Sequence, residues 1–321
     1  MTLAGTTGLT ELHRHLDVSV RLSTLLELAH QRGLIPTSTS LEGFREDFLI
    51  REPMADLVSV LGKFTLYQQV LDHYDVVERV AFEAAEDAYR EGIRTLEFRF
   101  SPSFVCDLSK MPWLEALDGF TAGLARAMVT YPDFRAGLIC IGSRDFGMGS
   151  IEKTIEFFLR ERDRFIGFDL AGDEVQFPNY LYRSAIKPVI ACGTKITIHA
   201  GEADGPDSVW SAIQDLGAIR IGHGIRSIED PKLMEYLREH QILLEMCPTS
   251  NRMTSAWPDF RTHPFRTCLE FGIPVCLNTD DPSIFGNSLA DEIRIARDVM
   301  GLSDESIQNS FSIARKHSFL V

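Results

Sequence analysis

Residues 195–246 read KITIHAGEADGPDSVWSAIQDLGAIRIGHGIRSIEDPKLMEYLREHQILLEM. Three short apolar runs, Lys195–His199, Arg220–His223 and Ile242–Met246, alternate with two segments of helical periodicity, Ser208–Leu216 and Asp230–His240. Runs that are mostly apolar, without strict alternation, fit parallel strands covered on both faces. Strand, helix, strand, helix, strand is the signature of βαβ units.

The same alternation extends outward from this stretch. Upstream lie Leu9–His13, Thr95–Phe100, Ala136–Ile141 and Ile166–Leu170; downstream, after a helical Thr262–Phe271, comes Pro274–Asn278. Eight such strands in roughly 300 residues predict an α/β chain folded as a (β/α)8 TIM barrel. The segment Ser19–Arg94, between the first two strands, has room for several extra helices. Within it Asp56–Val70 reads as an amphipathic helix with Leu57, Val60, Leu61 and Phe64 on one stripe. Two roles suit it: an ordinary outer-ring helix, or an apolar lid beside the barrel mouth. Ser303, followed by acidic residues and Ser306, predicts a capped C-terminal helix.

The chain has 321 residues, which a prior of about 150 per domain would divide in two, but barrels routinely exceed that as one unit. Residues 1–321 are therefore expected to form a single domain. Hydrophobic residues make up 45% and charged residues 24%, a globular balance. A formal net charge of −14 repels phosphate backbones, so nucleic acid is not an expected partner. The six cysteines are scattered, form no Cys-x-x-Cys pair, and suit a reducing cytoplasm. Met1–Thr10 lacks a basic stretch followed by an apolar core, so no signal peptide is expected. No run approaches about 18 apolar residues, so no membrane span is expected.

Chemistry-bearing residues gather at the strand ends. His13 and His15 lie two apart at the end of the first strand, and period-two geometry turns both to one face. His199 ends the fifth, and Glu202 comes three residues later in a turn loosened by Gly201. His223 ends the sixth between Gly222 and Gly224, which suggests close approach to the backbone. Asp280 and Asp281 close the eighth, and Pro282 stops the strand and can start the next helix. Two adjacent carboxylates are costly without a cation or hydrogen bonds, so one is expected to be a ligand and the other to face a substrate. Four of the nine histidines thus fall on the face where barrel enzymes keep their chemistry.

Imidazoles plus a carboxylate suit zinc, with iron or cobalt as substitutes, and zinc would activate a water for hydrolysis. Glu202 and His223 would stay free to move protons. A carboxyl near a desolvated barrel mouth has reason to carry a proton near neutral pH. Related barrels with two metals use a bridging lysine at the fourth strand; here that strand ends Asp169-Leu170-Ala171-Gly172, so one metal is expected. The His-x-Glu with Pro-Cys-x-x-Cys signature of cytidine-type deaminases is absent.

Seven strings, HRHLD, LEFRFSP, DLAGDE, TIHAGE, RIGHG, CPTSN and LNTDDP, resemble the adenosine deaminase family in that order, across nearly the whole chain. The resemblance implies a barrel with one zinc per chain, hydrolysing the 6-amino group of a purine nucleoside to an inosine-type product and ammonia. By that resemblance His13, His15, His199 and Asp280 bind zinc. Asp280 and His223 orient the attacking water, and Glu202 protonates ring N1. Asp281 holds N7 and the Gly172 N–H meets N3. Asp17 hydrogen-bonds the ribose, and His15 also lines the substrate. Leu57, Leu61 and Phe64 form an apolar wall, which favours the lid.

One position departs from the pattern. Members acting on adenosine usually carry glycine after HLD, where this chain has Val18 and Ser19. A β-branched residue there would reshape the ribose end. That leaves open a nucleoside altered at the 5′ position, such as aminodeoxyfutalosine or methylthioadenosine. Two more distant readings are a barrel amidohydrolase acting on a non-purine ring and a binding relative without activity. The second would be expected to have lost a ligand or the acid, and all are present.

Overall fold

A computed structural model describes residues 8–320. Residues 1–7, part of the stretch expected to hold no signal peptide, and Val321 lie outside them.

Eight parallel strands succeed one another in chain order: β1 (Leu9–His15), β2 (Ile93–Phe100), β3 (Arg135–Ser143), β4 (Gly167–Ala171), β5 (Thr197–Ala200), β6 (Arg220–His223), β7 (Leu243–Met246) and β8 (Val275–Leu277). They pair in two runs of four, β1 to β4 and β5 to β8. Single parallel bridges, Phe168 with Ile196 and Arg14 with Asp280, join the runs into a closed ring. The bridge at Asp280 is secured by His15 N–H donating to Asp280 O at 3.0 Å and Asp280 N–H to His13 O at 3.2 Å. This is the TIM barrel expected from the alternation, and all eight strands lie where the apolar runs placed them.

The outer faces of the strands are apolar and pack on helices, as with Phe100 against Phe120 at 4.8 Å between ring centres. The interior is different, because it carries charge. Arg99 reaches Asp169 at 2.8 Å and Glu245 at 2.7 Å, while Arg220 reaches Glu97 at 2.8 Å and Glu245 at 2.6 Å. All five side chains are buried. In LEFRF the period of two therefore sends Leu96, Phe98 and Phe100 toward the helices and Glu97 and Arg99 toward the axis. The chain's end closes the bottom of the barrel, with Ser318 Oγ donating to Glu97 at 2.7 Å and the Arg220 guanidinium 3.6 Å from the Phe319 ring centre.

Five α-helices fill the connection between β1 and β2: Leu22–Gln31, Leu41–Phe48, Leu57–Leu61, Thr65–Val70 and Tyr74–Arg90. The single amphipathic helix expected over Asp56–Val70 is in fact broken. Asp56 caps a short helix over Leu57–Leu61, accepting from Ser59 N–H at 2.8 Å, and a 3-10 turn over Gly62–Phe64 separates it from Thr65–Val70. Gly62 is the physical reason, since glycine is a poor helix interior residue and gives way to the tighter turn. Ser303 caps Asp304–His317 as expected, accepting from Ser306 N–H at 3.1 Å. Among the described residues no helix is long and apolar enough to cross a membrane.

Candidate active site

The top of the barrel brings His13, His15, His199 and Asp280 together, with one candidate ligand atom from each lying within 4.8 Å of the others. The Nε2 atoms of His13 and His15 are 3.2 and 3.3 Å from Asp280 Oδ1, and those of His15 and His199 are 3.3 Å apart. His13 and His15 do share a face, despite a register slip in β1 between Glu11 and Arg14. His13 Nε2 and Asp280 Oδ1 are buried with no hydrogen-bond partner. Orphaned buried atoms of this kind, aimed at one point by three imidazoles and a carboxylate, fit a divalent metal such as zinc.

The other ring nitrogens are anchored by carboxylates, which orient metal-binding imidazoles. His13 Nδ1 lies 2.9 Å from Glu245 and His199 Nδ1 lies 2.9 Å from Asp169. Burial alone would raise Asp169, yet His199 and Arg99 hold it below the usual carboxylate range. Glu245 is held down in the same way, by Arg220 and Arg99 against burial. Burial pulls His199 down to about 3, leaving its ring neutral and its Nε2 free to ligate.

Glycines beside the ligands answer to space. A Cβ on Gly222 would stand 3.0 Å from His13 Cε1 and 3.2 Å from His199 Cα. A Cβ on Gly201, at φ +67°, would meet Val209 at 2.5 Å. His223 and Asp280 have φ of 61° and 67°, a left-handed conformation that costs on the order of 1–3 kcal/mol in a non-glycine residue and clusters at functional sites.

Glu202 is buried beside His223, whose Nε2 lies 3.5 Å from Glu202 Oε2 and 3.7 Å from Asp280 Oδ2. Burial, with a further contribution from the Asp280 charge, pushes the Glu202 carboxyl up to about 8. Its Oε1 accepts from Asn251 at 3.1 Å and Thr254 at 3.0 Å. Burial lowers His223. Asp281 is pushed well above the usual range by burial and by its neighbour Asp280, and its buried Oδ1 has no partner.

One cavity joins these groups, lined by His15, Glu202, His223 and Asp281, by Gly172, and by the stripe Leu57, Val60, Leu61 and Phe64. The broken segment therefore lies over the mouth, and the outer-ring alternative is set aside. A Cβ on Gly172, at φ +101°, would fall 2.0 Å from Asp145 Oδ2, so only glycine fits there. A second, adjoining cavity shares His15, Leu61, Phe64 and Gly172 and reaches Asp17 and Val18. Asp17 accepts from Ser101 N–H at 2.9 Å. Val18 and Ser19 are not among the described residues with positive φ, so this loop does not need the conformational freedom of glycine.

Several residues at the site escaped the sequence reading as individuals. Glu174 accepts the backbone N–H groups of Gly201, Glu202 and Ala203 at 2.8 Å each, and so shapes the loop that carries Glu202. Asn251 contacts both Glu202 and His223. Glu174, Asp169 and Asn251 stand in the strings DLAGDE and CPTSN, but their partners are far away in sequence. Glu245 carried a local signal, a lone charge inside an apolar strand.

The adenosine deaminase family model matches residues 8–321. An adenosine deaminase from Shigella flexneri serotype 5b is 42% identical over 305 residues, covering 95% of this chain and 91% of that protein. A solved adenine deaminase from Arthrobacter aurescens shares the fold at a TM-score of 0.91 and 24% identity, covering 98% of this chain and 95% of that one. An amidohydrolase from Burkholderia ambifaria, solved with bound zinc, does so at 0.89 and 23%, covering 98% and 86%. With strands, motif order and metal-type cluster in place and a family model spanning the described barrel, the chain belongs to the adenosine deaminase family.

Proposed function

We propose that this enzyme hydrolyses adenosine to inosine and ammonia. The observation that carries the reading is the convergence of His13, His15, His199 and Asp280 on one point, in a cavity whose wall also holds a buried Glu202. His13, His15, His199 and Asp280 would hold one zinc, which when bound supplies a water with its pKa lowered toward about 7.

The chain's own residues do the rest. Glu202, protonated at neutral pH, gives its proton to ring N1 as the water oxygen adds to C6. That transfer removes the negative charge that would otherwise build on the ring. The His223 Nε2–H donates to the water oxygen and, with Asp280, whose Oδ2 lies 3.7 Å away, orients it; the Asp280 carboxylate takes the water's proton, and His223 supports that deprotonation electrostatically. Asp281, kept protonated by its surroundings, donates to N7, and the Gly172 N–H meets N3. Asp17 takes the ribose, His15 borders it, and Leu57, Leu61 and Phe64 wall off solvent. Asp280 passes one proton of the attacking water to the 6-amino group, the C6–N bond breaks, ammonia leaves, and the water's second proton restores the Glu202 acid. Adenosine itself, rather than a 5′-altered nucleoside, is supported by adenosine deaminases at 42% identity and by the unstrained backbone at Val18.

The reading extends to a single barrel domain over residues 1–321 working in the cytoplasm on a small molecule, without nucleic acid or membrane. All six thiols are free, as a reducing compartment would keep them. Mixing the zinc-loaded enzyme with adenosine is expected to bleach the adenosine absorbance band with release of ammonia; no release would sink the proposal. Glu202→Gln is expected to retain zinc and lose turnover by roughly 10²–10⁴-fold, the usual contribution of a general acid.

A further inference from the structure

His263 lies outside the cavity and is in contact with none of the metal-type ligands, yet it ends a chain of hydrogen bonds that starts at the reacting groups. It is buried, at 3% exposure, and caps the helix Pro264–Phe271. Its Nδ1 accepts from Phe265 N–H at 3.2 Å. That backbone donor belongs to the first turn of a helix, where it has no partner within the helix. With Nδ1 committed as an acceptor, a neutral ring must carry its proton on Nε2. Nε2 faces Asn251 Oδ1 at 3.2 Å.

This contact decides which way the Asn251 amide points. Oδ1 is held by His263, so Nδ2 and its two hydrogens face the site. One reaches His223 Nδ1 at 3.1 Å and the other Glu202 Oε1 at 3.1 Å. Both consequences bear on proton transfer. His223 Nδ1 becomes an acceptor, so its proton sits on Nε2, the atom facing Glu202 and Asp280. Glu202 Oε1 already takes two donors, from Asn251 and from Thr254 at 3.0 Å, so the acidic proton sits on Oε2.

We propose that His263 and Asn251 are positioning residues that set the tautomer of His223 and the protonated oxygen of Glu202 from the Phe265 backbone N–H. The assignment rests on the deaminase reading for its effect on turnover, but the tautomer it specifies exists with or without that activity. A reversed Asn251 amide would present an oxygen to Glu202 and move the His223 proton to Nδ1, away from the substrate. A histidine in the wrong tautomer leaves geometry intact and removes function.

The test compares His263→Leu, His263→Gln and Asn251→Asp in zinc-loaded enzyme. Kinetics are read with adenosine, and the His223 tautomer is read from the ring-nitrogen shifts of histidine-labelled protein. In the parent, His223 is expected to be protonated on Nε2. His263→Leu is expected to lower kcat by roughly 10–100-fold, the range for outer partners that orient functional imidazoles, with KM within about twofold and zinc retained. His223 should then show a tautomer mixture. His263→Gln, whose amide keeps a donor toward Asn251, is expected to recover most of the rate. Asn251→Asp, nearly isosteric, is expected to move the His223 proton to Nδ1 and to remain readable if His263→Leu does not fold. The proposal is overturned if the parent's His223 carries its proton on Nδ1, or if Leu and Gln at position 263 lower kcat equally with an unchanged His223 tautomer. A parent with the expected tautomer that releases no ammonia from adenosine would sink the deaminase reading and leave the relay standing.

Discussion

At Gly222 a single hydrogen atom stands where any other residue would place a carbon 3.0 Å from one metal-type histidine and 3.2 Å from the backbone of another. In Gly222→Ala, His13 and His199 have to give way by a few tenths of an ångström. Overpacking of this kind costs about 1–3 kcal/mol, which, falling on the ligand geometry, is roughly 5- to 150-fold in affinity. Zinc binding measured by competition with a chelator is expected to weaken by that amount, with secondary structure unchanged. Glu202 gives the second prediction at this scale. Its carboxyl, raised to about 8, is protonated below that pH and ionised above it. An acid that must donate works only while protonated, so kcat/KM is expected to fall as pH rises through about 8. Thr254 donates to the same carboxyl and lowers its pKa. Removing that donor in Thr254→Val should move the alkaline limb upward; a downward or absent move would dissociate the limb from Glu202.

Among the elements, the strands show most about how the site is held. Their outer faces are apolar and their inner faces carry Glu97, Asp169, Glu245, Arg99 and Arg220, linked across the barrel. The network ends on His13 and His199, so the interior that stabilises the barrel also aims its ligands. Arg99→Met would leave Asp169 and Glu245 short of their shared cation. Removing one partner of a buried charge network costs about 3–5 kcal/mol. Urea unfolding of Arg99→Met is expected to show a loss in that range. The segment over the mouth shows how far local pattern carries. Its apolar stripe was legible because burial follows the spacing of Leu57, Val60, Leu61 and Phe64. Its division at Gly62 was not, because one glycine costs a helix only about 1 kcal/mol and many helices run through one, so the letter alone does not mark a break.

On the scale of the whole molecule, the four metal-type ligands come from β1, from β5 and from the segment after β8. They link the two ends of the barrel sequence where the ring closes through Arg14 and Asp280. A metal there binds the folded chain and not the unfolded one, and a concentration about 1,000-fold above its Kd stabilises by about 4 kcal/mol. Removing zinc with a chelator is expected to lower Tm by several degrees in calorimetry, and restoring it should reverse the loss. A Tm indifferent to chelation would detach the cluster from metal binding.

The sequence by itself determined the strand order, the barrel, and that His13, His15, His199, His223 and the Asp280-Asp281 pair stand at strand ends with Glu202 just beyond one of them. Those signals are local: an apolar run marks a strand covered on both faces, and a charged or imidazole side chain at its C-terminal end marks the barrel mouth. Only the tertiary structure decided the partners. Glu245 meets His13 across 232 residues, Asn251 meets Glu202 across 49, and Glu174 gathers the loop after β5 from the end of β4. It also decided that Val18 sits in an ordinary backbone conformation and that the Asn251 amide turns its nitrogen inward. A side chain's charge can be read from its letter. Its proton depends on burial and on the atoms that face it, and those are brought together only when the ring closes.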